Sequence, residues 1–121
     1  MLESLAIGFS AFGDPMVWFA LVFGALAGYL IGAIPGLGPS LGVALLIPFT
    51  YGMDPVVSIV GLVALYAAAE YGGAITAILI NSPGTSAAVA TSWDGYPLTQ
   101  QGRAGEALTV SILSSGAGIF I

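Results

Sequence analysis

Two stretches of this sequence combine residue types that could hold an ion. They are "PGLGPS" (Pro35, Gly36, Leu37, Gly38, Pro39, Ser40) and "NSPGTS" (Asn81, Ser82, Pro83, Gly84, Thr85, Ser86). Each sets a proline–glycine break and at least one hydroxyl between apolar runs, a composition that stops one helix and frees the start of the next. In each, the last serine, Ser40 or Ser86, is placed as an N-cap for the helix that follows. A helix start presents unpaired N–H groups and a partial positive charge, and so attracts an anion. Unwound carbonyls, the Asn81 amide and the Ser82, Thr85 and Ser86 hydroxyls are oxygen ligands suited to a sodium ion. Half-helices that end at membrane depth use both devices in transporters. The same residues also fit a structural role, with the breaks kinking helices for packing and the hydroxyls bonding to local backbone.

Glu70 is the third candidate, set among Tyr66, Tyr71, Gly72 and Gly73. A carboxylate within a membrane span is costly and marks a place to accept a proton or hold a cation. The competing reading ends the helix near Ala69 and leaves Glu70 at the interface. Asp54 and Asp94 stand in Asp-Pro and Asp-Gly pairs, where a turn role is expected.

The elements that must position these groups are helices in lipid. Of 121 residues, 58% are hydrophobic and 6% charged, and the mean hydropathy is +1.04. Soluble domains carry roughly a quarter charged residues, so such a chain cannot cover a water-facing surface. Its apolar runs are too long and too unalternating for barrel strands. The fold class is all-α integral membrane protein, with transmembrane helices and broken or re-entrant helical hairpins as one part of a repeat-based transporter fold. The chain has no histidine or cysteine, which removes the usual metal ligands and thiol chemistry. Its net charge is −5, with Arg103 the single basic residue, so no basic patch is available for a nucleic acid. No nucleophile–base pair suggests an intramembrane enzyme.

Along the chain, residues 1–15 form an interfacial segment in which Leu2, Leu5, Ala6, Phe9 and Phe12 recur at helical spacing. Pro15 then takes a first helical position. Residues 16–121 form the transmembrane part. The run 16–34 has no charge and the length of a span. Its Gly24, Gly28 and Gly32, four residues apart, make one stripe on which another backbone can pack. Residues 41–49 are too short to cross and too apolar for a wet loop, as expected of half a re-entrant hairpin. A helix over 56–69 that extends into its neighbours on either side, a resumed apolar run over 74–80, a polar loop "SWDGYPLTQQGR" over 92–103 and a last helix from 104 follow. That helix stops in mid-run, as if cut from something longer. The positive-inside rule would put the 93–103 loop in the cytoplasm, but Arg103 is a single charge and does not fix the orientation.

Four stretches, "GAIPGLGPSLGVALLIPFT", "YGGAITAILINSPGT", "DGYPLTQQGRAGEAL" and "SILSSGAG", stand in the order found in the large membrane subunit of tripartite tricarboxylate transporters, the TctA family. The chain resembles that family over about residues 16–121, the N-terminal portion of members several times longer. The resemblance implies a multi-pass protein of the bacterial inner membrane. It implies a secondary transporter for citrate or related carboxylates, driven by a sodium or proton gradient. A periplasmic solute-binding protein would deliver the substrate, and a small membrane subunit would accompany the large one. By motif, the implied functional positions are Pro35, Gly36, Gly38, Asn81, Pro83, Gly84 and Thr85. Transporter sites often form between repeats, so one such segment is not expected to transport alone. The alternative function is a small, non-transporting membrane scaffold that uses the Gly24, Gly28 and Gly32 face.

Overall fold

The computed structural model describes all 121 residues, and every regular element is helical. They are α1 (Leu2–Ala11), α2 (Pro15–Ala33), α3 (Gly38–Leu46, continued by a tighter 3₁₀ turn, Ile47–Thr50), α4 (Pro55–Ile80), α5 (Ala88–Gln100) and α6 (Ala104–Phe120). The chain is an all-α membrane protein, with α2 and α4 both long and apolar enough to cross a bilayer.

The two spans start alike. Asp14 and Asp54 each precede a proline, and each accepts the amide two residues on, Met16 or Val56, at 2.9 Å. Proline lacks the N–H that a first turn cannot satisfy, and the carboxylate takes one of the remaining orphan donors. The Asp54-Pro55 turn is thus a helix cap.

α2 and α4 pack with their backbones almost touching. A side-chain carbon on Gly24 would strike the carbonyl of Gly61; on Gly28, that of Leu65; on Gly32, that of Ala69. These pairs advance by four residues along both helices together, so the helices run parallel. The glycine stripe expected to pack is therefore filled by α4. Without a hydrophobic drive between helices in lipid, close van der Waals contact of this kind is what holds them. Near the helix starts, Val17, Ala20 and Val57 are buried together, with Ala11 of α1 and Val60 against them.

Parallel neighbours need a return path, and α3 with its 3₁₀ continuation provides it. At 1.5–2.0 Å per residue, Gly38–Thr50 spans only about 20 Å, against about 28 Å for α2. Gly42 lies midway, facing the side chains of Ile31 and Leu65. The short apolar run is thus a helix packed against protein on one side, as irregular backbone at membrane depth requires.

Two expectations are corrected. First, the runs 56–69 and 74–80 form one 26-residue helix, α4, which passes through Glu70, Gly72 and Gly73 without a break. Glycine costs a helix about 1 kcal/mol relative to alanine. Here both glycines are buried, and Gly72 admits the Tyr29 carbonyl where a side-chain carbon would sit 2.8 Å from it. Tertiary packing outweighs propensity. Second, most of "SWDGYPLTQQGR" is helix α5, and only Gln101, Gly102 and Arg103 link it to α6. Gly95 fits against Ile78, and the Thr99 hydroxyl donates to the Ile78 carbonyl at 2.7 Å. These contacts secure a helix that contains Pro97 near its end. Asp94, expected in a turn, is on α5.

Candidate functional site

The second break is built backwards along α4. Asn81 ends that helix in the left-handed conformation (φ 55°), which asparagine tolerates better than most residues. The Ser82 amide reaches back to the Thr76 carbonyl at 3.3 Å, and the Gly84 amide donates to the Gly73 carbonyl at 3.3 Å. Residues 81–87 therefore climb from the end of α4 to its interior before α5 begins. Thr85 and the start of α5 lie beside Gly73, while Gly95 and Thr99 lie beside Ile78. So α5 runs in the same sense as α4.

Ser86 and Ser40 do not cap. Thr85 is buried, and its hydroxyl oxygen and carbonyl both accept from the Ala88 amide at 3.2 Å. Thr85 satisfies the first donor of α5, whereas Ser86 is exposed and offers only its carbonyl, to Val89 at 3.4 Å. At α3 the residue before the helix is Leu37, with no side-chain cap, and Ser40 lies exposed within the first turn. The sequence signal was off by one residue at the second break and by three at the first, because a Pro-Gly turn leaves the first helical residue unspecified.

The two breaks meet through glycine. A side-chain carbon on Gly84 would overlap the Gly32 carbonyl and lie 2.8 Å from the Gly73 Cα. Gly32 is on the last turn of α2, just ahead of the first break. Gly38 opens α3 six residues after Gly32, and Ala88 opens α5 four residues after Gly84. Both helix starts thus spring from one level of the α2–α4 pair. Of the candidate residues, Gly84 and Thr85 are buried there, with Ser82 and Pro83 half-buried. Pro35, Gly36, Ser40, Asn81 and Ser86 are exposed. Gly36 (φ 89°) and Gly38 (φ 65°) have no atom within 4 Å of where a side chain would start, so the first break presents bare, strained-for-others backbone outward.

Glu70 is half-buried inside α4 rather than beyond its end. It borders an open cavity of about 560 Å³ lined by α4, α5 and α6. Asp94, Thr91, Ser111, Ser114 and Ser115 share the lining, and no basic residue does. The sole arginine is held elsewhere: Arg103 forks onto Glu106, Nε to Oε2 at 2.6 Å and Nη2 to Oε1 at 2.8 Å. Those hydrogen bonds, and the attraction of opposite charge, draw the Glu106 carboxyl below its usual range. The lining is mostly apolar, with two carboxylates and a few hydroxyls set into it, oxygen donors of the kind a proton or a hard cation takes.

A family model described as "Tripartite tricarboxylate transporter TctA family" matches residues 18–121. The chain belongs to the TctA family. It is also 41% identical over 115 residues to an uncharacterized 52.8 kDa protein of Agrobacterium vitis from the TAR-I ttuC' 3' region. That similarity takes in 95% of this chain and 23% of the relative, so the chain spans under a quarter of that protein's length. No solved structure matches. The TctA-family match begins inside α2 and takes in both breaks, Glu70 and the three-helix cavity.

Asp94 and the α6 serines are functional candidates that sequence reasoning passed over. Ser111, Ser114 and Ser115 recur at i, i+3 and i+4, a helical-face pattern that was readable. Asp94 was hidden by its Asp-Gly pair, which resembles a turn. Gly73 had no distinguishing signal, since its role depends on a loop returning to it.

Proposed function

We propose that this TctA-family chain is part of the membrane subunit of a secondary transporter. The cargo is a tricarboxylate or related carboxylate handed over by a periplasmic solute-binding protein. A small membrane subunit accompanies it, a sodium or proton gradient drives uptake, and the assembly is multi-pass in the bacterial inner membrane. Residues 1–15 lie along the membrane interface. The observation that carries this reading is the contact of Gly84 with Gly32, which brings the second break to the end of the helix that leads into the first.

Two helix starts at one level give backbone N–H groups that attract a carboxylate without lysine or arginine. Pro35, Gly36, Gly38 and Ser40 line the first break. Asn81, Ser82, Pro83, Gly84, Thr85 and Ser86 line the second. Glu70, with Asp94 across the same cavity, takes the proton or sodium ion. The scaffold alternative loses its surface, because the Gly24, Gly28 and Gly32 face is occupied by α4.

The test is citrate uptake into proteoliposomes that hold the full-length subunit and its partners. Asn81→Ala and Thr85→Ala lower uptake while insertion stays normal. Wild-type uptake in both variants removes those two residues from the site.

A further inference from the structure

The second break approaches α4 backbone to backbone. A side-chain carbon at Gly73 would lie 2.8 Å from the Thr85 Cγ2, 2.9 Å from the Thr85 amide nitrogen and 3.2 Å from the Gly84 carbonyl carbon. Two of these three neighbours are main chain, so no rotamer change relieves the clash. A side-chain carbon at Gly84 would in turn strike the Gly32 carbonyl and lie 2.8 Å from the Gly73 Cα, so there is equally little room there. The Gly84–Gly73 hydrogen bond then fixes the loop along the helix axis. We infer that Gly73 is a positioning residue: with the Gly32 carbonyl it forms a seat for the second break, and this seat sets where Thr85 and the first turn of α5 lie.

The far end of α5 is fixed separately, by Gly95 against Ile78 and by the Thr99 hydroxyl on the Ile78 carbonyl. A methyl group at Gly73 therefore cannot move α5 as a whole. It displaces Thr85 and the first turn while the last turn stays anchored. Ala87, Ala88 and Thr91 of that turn share a cavity with Glu70, which is less than one helical turn from Gly73. A shift at the seat therefore reaches both the break and the acidic cavity. Gly28 supplies the contrast. It is equally crowded, by the Leu65 carbonyl and by the Ala68 Cβ at 2.8 Å, but it touches neither break.

This inference rests on the transport reading for its activity arm only, and the experiment separates the two. In the full-length subunit reconstituted with its partners, Gly73→Ala raises the KM for citrate by about tenfold or more, the penalty for misplacing binding groups by about an ångström. Adding Thr85→Ser removes the clashing Cγ2 but keeps the capping hydroxyl, and it recovers part of the KM. Gly28→Ala lowers melting temperature or accumulation and leaves KM at the wild-type value. A second readout needs no transport. The chain has no cysteine, so a Ser86→Cys reporter is labelled with an impermeant maleimide. Gly73→Ala changes the labelling rate several-fold, and Thr85→Ser moves it back.

If Gly73→Ala inserts normally with unchanged labelling and KM, or if Gly28→Ala matches it in both, the seat is overturned. If Gly73→Ala does not accumulate, Gly84→Ala, whose side-chain carbon presses on the same seat from the loop, is read in its place, and unchanged Ser86→Cys labelling there overturns the seat. If the wild-type assembly takes up no carboxylate, the functional reading falls and the labelling result alone decides the seat.

Discussion

The amide of Gly84 donates to the carbonyl of Gly73 at 3.3 Å, although Gly73 belongs to the helix that the chain has just left. This bond turns an apparent interruption into a return along about two turns of α4. It also explains why α4 and α5 run in the same sense, which a tight turn would not allow. The parallel pair α2 and α4 is joined in a related way, with α3 as the return. The same problem is solved twice, once by a short helix and once by an irregular loop.

The glycine stripe predicts a sharp contrast in stability. Gly28→Leu forces a branched side chain into the Leu65 carbonyl and the Ala68 Cβ, and overpacking of this kind costs about 1–3 kcal/mol. Gly116→Ala, where nothing lies within 4 Å, is neutral or slightly stabilising through helix propensity. Thermal melting in detergent compares them. Equal melting temperatures for Gly28→Leu and the wild type would mean that α2 and α4 are not in contact at this point.

Asp54 predicts a smaller, chemically specific loss. Its carboxylate accepts from Val56 at 2.9 Å and Val57 at 3.3 Å. Asp54→Ala removes the cap and destabilises by about 1 kcal/mol, whereas Asp54→Asn keeps most of it. Chemical denaturation in micelles reads the difference. An asparagine variant as unstable as the alanine variant contradicts capping as the cause.

Much of this architecture was legible because hydropathy and breakers are strong signals in lipid. The span 16–34, the short run that became α3 and the helix start at Pro15 follow from residue type and spacing, whereas Asp54-Pro55 read as a turn and caps α4. The errors have a common source. Gly72-Gly73 read as a place where the helix could end and Asp94-Gly95 as a turn, yet all lie in helices, and the glycines are there because a neighbouring segment needs the space. A sequence shows that a residue is small without showing what approaches it. The same limit applies at the site. Both breaks were readable as places where helices start, whereas their meeting through Gly32, Gly73 and Gly84 depends on two parallel helices and a returning loop. Asp94 joined Glu70 only once "SWDGYPLTQQGR" proved to be helical.

The Arg103–Glu106 pair gives a pH dependence with a definite sign. Hydrogen bonds from Arg103, then its charge, lower the Glu106 carboxyl in the folded protein. A lowered acid contributes stability that is present above its unfolded value, about 4.3, and is lost as pH falls through the folded value. Arg103 is shifted the other way, upward, and stays charged throughout. Both groups are exposed, so the contribution is small and screened by salt. Arg103→Gln therefore melts slightly lower than the wild type at neutral pH and low salt, and the two curves converge in acid or at about 1 M salt. A gap that persists in acid would assign the effect of Arg103 to packing instead of charge.

The acidic cavity makes the most direct functional prediction. Glu70 and Asp94 share one lining with Thr91, Ser111, Ser114 and Ser115, and no base neutralises them there. Glu70→Gln keeps the shape and removes the charge, so it separates electrostatics from packing. If the cavity receives the driving ion, Glu70→Gln flattens the dependence of initial citrate uptake on sodium or on pH, whichever the wild type shows. Asp94→Asn has the weaker effect of the two, because Asp94 is exposed and Glu70 is half-buried, and interactions are screened less in the drier position. Ser114→Ala serves as the control for volume, since its hydroxyl already donates to the Ser111 carbonyl at 3.1 Å. Initial rates measured across a sodium series at fixed pH, and across a pH series at fixed sodium, identify the ion. Wild-type profiles in Glu70→Gln along both series would exclude the cavity from coupling and leave the two breaks as the only candidate site.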